Sequence, residues 1–461
     1  MTHKQARKRL EVVHPDCAGI DIGKTKHYVA VDPERSEDPV RSFGTFTDEL
    51  HALAAWLSTC GVRVVAMEST GVYWIPLYEV LDRAGFEVHL VNPRATKQVS
   101  GRKSDVLDCQ WLWQLMSYGL LRGAFRPSDE VCVLRSYVRQ RARLVRDTSR
   151  SVQHMQKALT EMNVQLDSVL SDIMGKTGEQ IIRAIVGGER DGTVLARHRD
   201  RRVRADESTI ARSLQGNWRR EHVFALTQAL ARHDFFRAQV LECDACIAAV
   251  IGVSATELTT EPSAEPTARR RAGKASTKSG PAAGRSQRDR VLQSTLQQTL
   301  GVDLTAIPTV GVETALVLAS EIGADLSRFP TSAHFCSWLS LAPGTRISGD
   351  KSIGGRQAPK RTNRAGQALR VAASTARSSD SFIGAAHRTR LARMDTGKAI
   401  KATAHQLARL IYAMLTRGEA YVERGIASFE AECEHRNVRQ LHRRAEKLGL
   451  MLVPRPEDAA A

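Results

Sequence analysis

The chain has 461 residues, with 67 Lys and Arg against 50 Asp and Glu, a formal charge of +17. That length gives two or three domains, and the cationic surplus favours a polyanionic partner, most often nucleic acid. No stretch reaches the roughly 20 apolar residues of a membrane span, Met1 to Arg9 is polar and basic rather than a secretory leader, and eight scattered Cys suit a reducing cytosol, so membrane and disulfide-framework classes are excluded.

Residues 17–22 read as a strand, 23–25 as a turn, and 26–32 and 40–46 as two further strands. A helix over 48–59 places Leu50, Leu53, Ala54 and Leu57 on one face. Val62 to Met67 is a buried-type strand running into Glu68-Ser69-Thr70-Gly71. A helix at 73–84, a strand from Phe86 to Val91 and a helix at 104–119 follow. A three-strand meander followed by alternating helices and strands is a mixed α/β layout, matching the ribonuclease-H-like fold.

Four acids stand out in this part. Asp21 lies in an otherwise apolar strand, and Glu68 closes another, where unpaired charge is costly. Asp105 and Asp108 are three apart and share a helix face. Carboxylates gathered at one point repel unless a cation lies between them. Two magnesium ions roughly 3.5–4 Å apart, or manganese in their place, would satisfy them and clamp an in-line phosphoryl transfer. Taken singly, each acid also reads as a strand-end turn residue, a helix cap or a solvated helix face.

Gly19-Ile-Asp-Ile-Gly-Lys24, Met67-Glu-Ser-Thr-Gly71, Val91-Asn-Pro93 and Lys103-Ser-Asp-Val-Leu-Asp108, in that order, resemble the DEDD transposases of the Insertion Sequence 110 family. The resemblance implies a RuvC-like domain over 10–125 in which Asp21, Glu68, Asp105 and Asp108 are catalytic and bind magnesium. It also implies a bacterial, cytoplasmic and nucleoid-associated protein.

In the middle, residues 131–175 carry a heptad pattern running from Leu134 through Val138, Val145, Val152, Met155, Leu159, Met162, Leu166 and Val169 to Ile173. Arg141 and Thr148 break the seam. A 3.5-residue repeat kept this long argues for a coiled coil; an amphipathic helix packed in a globular core is the alternative. Residues 189–222 read as a polar connector with a short helix near 206–214, and a second long helix fits 221–252. Together, 130–253 form a helical arm, either an antiparallel hairpin or a dimer-forming element; the resemblance implies self-association. Cys243-Asp244-Ala245-Cys246 is a lone C-x-x-C that reads as helix thiols rather than a zinc site. From 254 to 290 the composition turns to Thr, Ser, Pro, Gly and charge, including Arg269-Arg270-Arg271, which predicts a disordered basic linker.

Residues 291–425 form the C-terminal transposase-like domain, expected to be mainly helical. Ala306-Ile-Pro-Thr-Val-Gly-Val312 and the helix after it resemble half of a helix-hairpin-helix, in which Gly311 lets backbone N–H groups approach a phosphate; an ordinary turn is the alternative. A short helix follows at 331–340. From 341 to 410 there are ten Arg and four Lys against three Asp. Within that stretch Ser348 lies in a basic, Gly-rich loop suited to attack on a phosphodiester. The family carries a nucleophilic Ser after a Leu-x-Pro segment, and Ser348 after Leu341-Ala-Pro343 is the position that matches. Asn363 caps a helix over 364–377, another runs over 397–416, where His405 reads as a packing or surface residue, and 426–461 is a charged helical tail.

These elements predict a transposase or recombinase acting on double-stranded DNA, and the resemblance implies that Ser348 attacks a DNA phosphate and that cleavage and strand exchange pass through a phosphoserine intermediate. The resemblance implies donor and target DNA as substrates, a structured non-coding guide (bridge) RNA, and a homo-oligomer, dimer or tetramer, with composite active sites and no membrane partner. The candidate nucleic-acid contacts are Arg102, Lys103, Arg135, Arg139, Arg143, Gly311, Arg346, Lys351, Arg356, Lys360, Arg361 and Arg364. The alternative is a metal-dependent nuclease of the Holliday-junction type, which needs the four acids but not Ser348.

Overall fold

The computed structural model describes residues 11–69, 71–92, 105–252, 287–343, 347–348, 351–352 and 363–420, with short pieces at 438–439, 441–442, 445–446 and 449–451. Of Ser348 and Lys351 only the backbone is described. Arg102, Lys103, Arg346, Arg356, Lys360, Arg361, Pro93, nearly all of the expected linker and most of the expected tail lie outside these residues. The chain divides into two compact units, Met1–Arg126 and Pro127–Ala461.

The first unit is a mixed five-stranded sheet with helices. Its strands are β1 (Cys17–Ile22), β2 (Lys26–Ala30), β3 (Val40–Gly44), β4 (Val64–Glu68) and β5 (Glu87–Val91), in the order β3-β2-β1-β4-β5. The first three pair antiparallel; β4 joins β1, and β5 joins β4, in parallel. Alternation along the strands sends Ile20, Ile22, Val65 and Met67 to one face. There α1 (Thr47–Thr59) and α2 (Trp74–Arg83) cover them with Leu50, Leu53, Leu57, Leu77 and Leu81. The opposite face carries Cys17, Val64, Ala66 and Val91, covered by Leu112 and Met116 of α3 (Asp105–Ser117). Glycine at 19 permits this cover to sit close: a Cβ there would overlap Trp113 N and Cys109 O.

The second unit is helical. Its longest elements, α4 (Asp129–Glu161) and α9 (Arg220–Ile251), lie antiparallel, since Arg141 Nε meets Asp244 Oδ1 at 2.6 Å while His222 Nδ1 meets Glu161 Oε2 at 3.3 Å toward the other end. The heptad reading needs two corrections. The helix stops at Glu161, and Asn163 takes a left-handed φ of 57°. Along α4 the buried face also drifts: Leu144 rather than Val145 is buried, and Ser151 more deeply than Val152. Between the long helices, α5 (Leu166–Val169), α6 (Lys176–Val186), α7 (Gly192–Ala196) and α8 (Glu207–Ser213) form a knob at the tip of the pair; α8 is the short helix expected near 206–214, while α7 adds a second helix to the stretch read as a polar connector. Its core joins Leu166, Ile173, Ile181, Ile185, Leu195, Ile210 and Leu214 to Met155, Leu159 and Leu226 of the long helices.

The C-terminal helices are α10 (Gln287–Leu300), α11 (Val312–Ile322), α12 (Ser332–Trp338), α13 (Arg364–Ser374), α14 (Phe382–Leu391), which the sequence reading passed over, and α15 (Thr396–Arg417). Phe335 is fully buried among Phe329, Trp338 and Tyr412, and Tyr412 Oη donates to Phe329 O at 2.8 Å, which ties α15 to the chain just before α12. Among the described residues no helix is long and apolar enough to cross a membrane.

Candidate active site

Register brings two of the four acids together. Strands β1 and β4 pair in parallel with Gly19 opposite Ala66 and Ile20 opposite Met67. One step further along both strands sets Asp21 beside Glu68. Both belong to the face that α3 covers, since Asp21 alternates with Gly19 and Cys17, and Glu68 with Ala66 and Val64. Glu68 is held by its pairing with Val91 and by Ser69, whose N–H and Oγ both donate to Val91 O, at 3.0 and 3.1 Å.

Asp105 and Asp108 occupy the first turn of α3, Asp105 exposed and Asp108 half-buried. Negative charge is favoured there because the unsatisfied N–H groups of a helix start point at it. The buried thiol of Cys109 feels an acid from each element: burial first, and then the charges of Asp21 and Asp108, push it up to about 12. So β1 and the first turn of α3 share one electrostatic neighbourhood. Among the described residues no three His, Cys, Asp or Glu side chains stand close enough together to hold a metal ion. The donors are all carboxylates, the set that a hard divalent cation prefers over softer metals.

Ser348 belongs to the second unit. Rather than an open loop, it occupies a two-residue strand, β6 (Ile347–Ser348), paired antiparallel with β7 (Lys351–Ser352), so that Ser348 stands opposite Lys351. The chain on either side is anchored. A Cβ at Gly366 would overlap Leu339 O, so the first turn of α13 lies directly against the end of α12. Asn363 Oδ1 caps α13, accepting from Ala365 N and Gly366 N at 2.9 and 3.3 Å. The two ends of the segment bearing Ser348 are thereby drawn together.

The basic candidates divide. Arg135 donates to Ser320 O and Glu321 O, and Arg139 grips both carboxylate oxygens of Glu321 at 2.7 and 2.6 Å. These two hold α4 to α11. Arg143 and Arg364 are exposed. Gly311 caps α11 with φ −85° and ψ 170°, a conformation open to any residue, and a Cβ on it would meet nothing within 4 Å. The left-handed residue of that turn is Thr309, at φ 73°. His405 is half-buried in α15 and its imidazole is pushed below its ordinary value by burial, as a packing residue would be. Cys243 and Cys246 sit half-buried within α9.

The sequence reading missed Gly19 and Glu321. A glycine inside a strand marks a bulge or a close backbone approach, so Gly19 carried a legible signal; Glu321, a charge on an otherwise apolar helix, carried one too, but its arginine partners lie about 180 residues away and nothing local names them.

A family model described as Transposase, of the DEDD type of IS110, matches residues 18–164. A second, described as Transposase IS116/IS110/IS902 family, matches residues 303–387. The chain is also 37% identical over 129 residues to a protein of Streptomyces coelicolor named Insertion element IS110 uncharacterized 43.6 kDa protein. That match covers 28% of this chain and spans 31% of the relative's own length.

Proposed function

Because this chain belongs to the Insertion Sequence 110 family of transposases, we propose that it moves an insertion sequence by cleaving and rejoining double-stranded DNA, with Ser348 as nucleophile and an acidic site of ribonuclease-H-like design. The observation that supports this is the register of β1 and β4, whose continuation by one residue brings Asp21 level with Glu68 on the sheet face that α3 covers. Family membership supports donor and target DNA and a structured non-coding guide RNA as partners, with base pairing reading the sequence and the protein reading shape and phosphates.

The four carboxylates would hold magnesium, which when bound neutralises phosphate charge and lowers the pKa of an attached oxygen. Ser348 Oγ loses its proton and attacks the phosphorus of a DNA phosphodiester. A phosphoserine bond forms, and the bond to the sugar oxygen breaks, freeing a strand hydroxyl. In the joining step a hydroxyl of the other strand attacks the phosphoserine and Ser348 leaves with its proton restored. The acids and Ser348 come from the two units, so the reading includes composite sites in which the acidic unit of one subunit serves the Ser348 of another.

The test is a cleavage assay on supercoiled DNA carrying the element's ends, with guide RNA present. Wild type should give a protein–DNA adduct in a magnesium-dependent manner, and Ser348→Ala and Asp108→Asn should give none. Cleavage by Ser348→Ala at the wild-type rate, without any adduct, would overturn the serine mechanism and favour the nuclease reading.

A further inference from the structure

Four arginines of α4, at 135, 139, 143 and 146, fall on one stripe of the helix because their spacings are four, four and three. The first two end on Glu321, a carboxylate only 5% exposed on α11. The stripe then continues past its counter-charge. Hydrogen bonds of the Arg143 and Arg146 side chains stay on α4 itself, to Gln140 Oε1 and Ala142 O. Arg364, the first residue of α13, enters the same field. Burial, and then the charges of Arg139, Arg146 and Arg143, push its guanidinium below its ordinary value, with Glu321 acting the other way. Two guanidiniums therefore grip one carboxylate and Arg364 lies within its field, while among the described residues no hydrogen bond or ion pair joins Arg143, Arg146 or Arg364 to an acid.

Such a surplus is unfavourable in the free protein and is relieved by an anion. The three unpaired arginines are exposed and strung along a helix, with about 4.5 Å of rise from Arg143 to Arg146. They do not enclose a pocket for one small ion. They suit a chain of phosphates, each met by a planar fork of N–H donors. We propose that Arg143, Arg146 and Arg364 bind the phosphodiester backbone of a nucleic acid at the junction of the long helical pair with the C-terminal helices. Arg139 and Glu321 act as positioning residues that anchor the stripe. This deepens the transposase reading, on which it rests, by naming the face that grips the nucleic acid.

The experiment measures binding of the full-length protein to a labelled DNA duplex, and separately to a labelled structured RNA, from about 0.05 to 0.2 M salt. The triple variant Arg143→Gln, Arg146→Gln, Arg364→Gln should lower the slope of log K against log salt by about 2–3, near 0.9 per lost duplex contact. The corresponding triple Lys variant should restore most of the slope. A fall with DNA alone or with RNA alone supports the proposal and names the backbone. An unchanged slope with both overturns it. If the triple variant melts early, the three single variants are read instead, each expected to lose about one unit. Asp108→Asn should keep the full slope. If wild type cleaves no DNA yet the triple variant lowers the slope, the transposase reading falls and this surface stands.

Discussion

Gly19 decides how closely α3 can approach the acidic end of the sheet. Any side chain there would overlap the backbone of Cys109 and Trp113. Backbone cannot rotate away as a side-chain tip can, so the helix has to shift, and Asp108 moves with it. Gly19→Ala should destabilise the protein by about 1–3 kcal/mol, the usual cost of overpacking. A thermal melt gives the direct check, and an unchanged midpoint would show that α3 is not seated on β1 as described. The acids themselves were legible from sequence because a charge within an apolar strand is conspicuous. Glycine at 19 was equally visible, but its role depends on which helix lies above it, and nothing local to the strand states that.

Among the elements, the strands and helices of the first unit follow the sequence reading to within about two residues, because each is short, β1 and β4 are near-continuous buried runs, and polar or glycine-containing turns separate them. The long helix shows why such reading fails elsewhere. Apolar residues at 166, 169 and 173 continue the heptad count beyond Glu161, yet they sit in the knob's core or packed against it. Periodicity reports burial; it does not report that the chain stays helical between buried positions. The knob is pinned by Arg183 of α6, which donates to both oxygens of Asp234 on α9 at 2.8 Å and to Glu179 Oε1 at 2.9 Å. The Arg183 hydrogen bonds hold the Asp234 carboxyl below its ordinary value, against the opposing effect of burial. A depressed folded value means the stabilisation is present above the unfolded value of about 3.9 and disappears as pH falls through the folded one. Asp234 is 39% exposed, so the contribution is modest, about 0.5 kcal/mol. Asp234→Asn should lower stability by that amount at neutral pH, and the gap to wild type should close as pH falls through the depressed folded value. Denaturant melts across the acid range measure this; a gap independent of pH would remove the ion pair as its cause.

At the scale of the whole molecule, the acids and the serine lie in separate compact units. Asp108→Asn subunits retain Ser348, and Ser348→Ala subunits retain the acids. If active sites are shared between subunits, mixing the two inactive proteins should restore adduct formation to a fraction of the wild-type level. Complete inactivity of the mixture, with hetero-oligomers demonstrated, would argue for sites built within one chain. The sequence motifs nominate residues for each half of the proposed chemistry, but separation along a chain carries no information about which copies meet.

The paired helices also set a scale. A 33-residue helix rises about 49 Å, so whatever the knob engages is held that far from the base of α4. Measured along a duplex at 3.4 Å per step, this is roughly 14 base pairs. Shortening the pair by whole turns from both helices would bring the knob nearer the base of α4 by about 5.4 Å per turn.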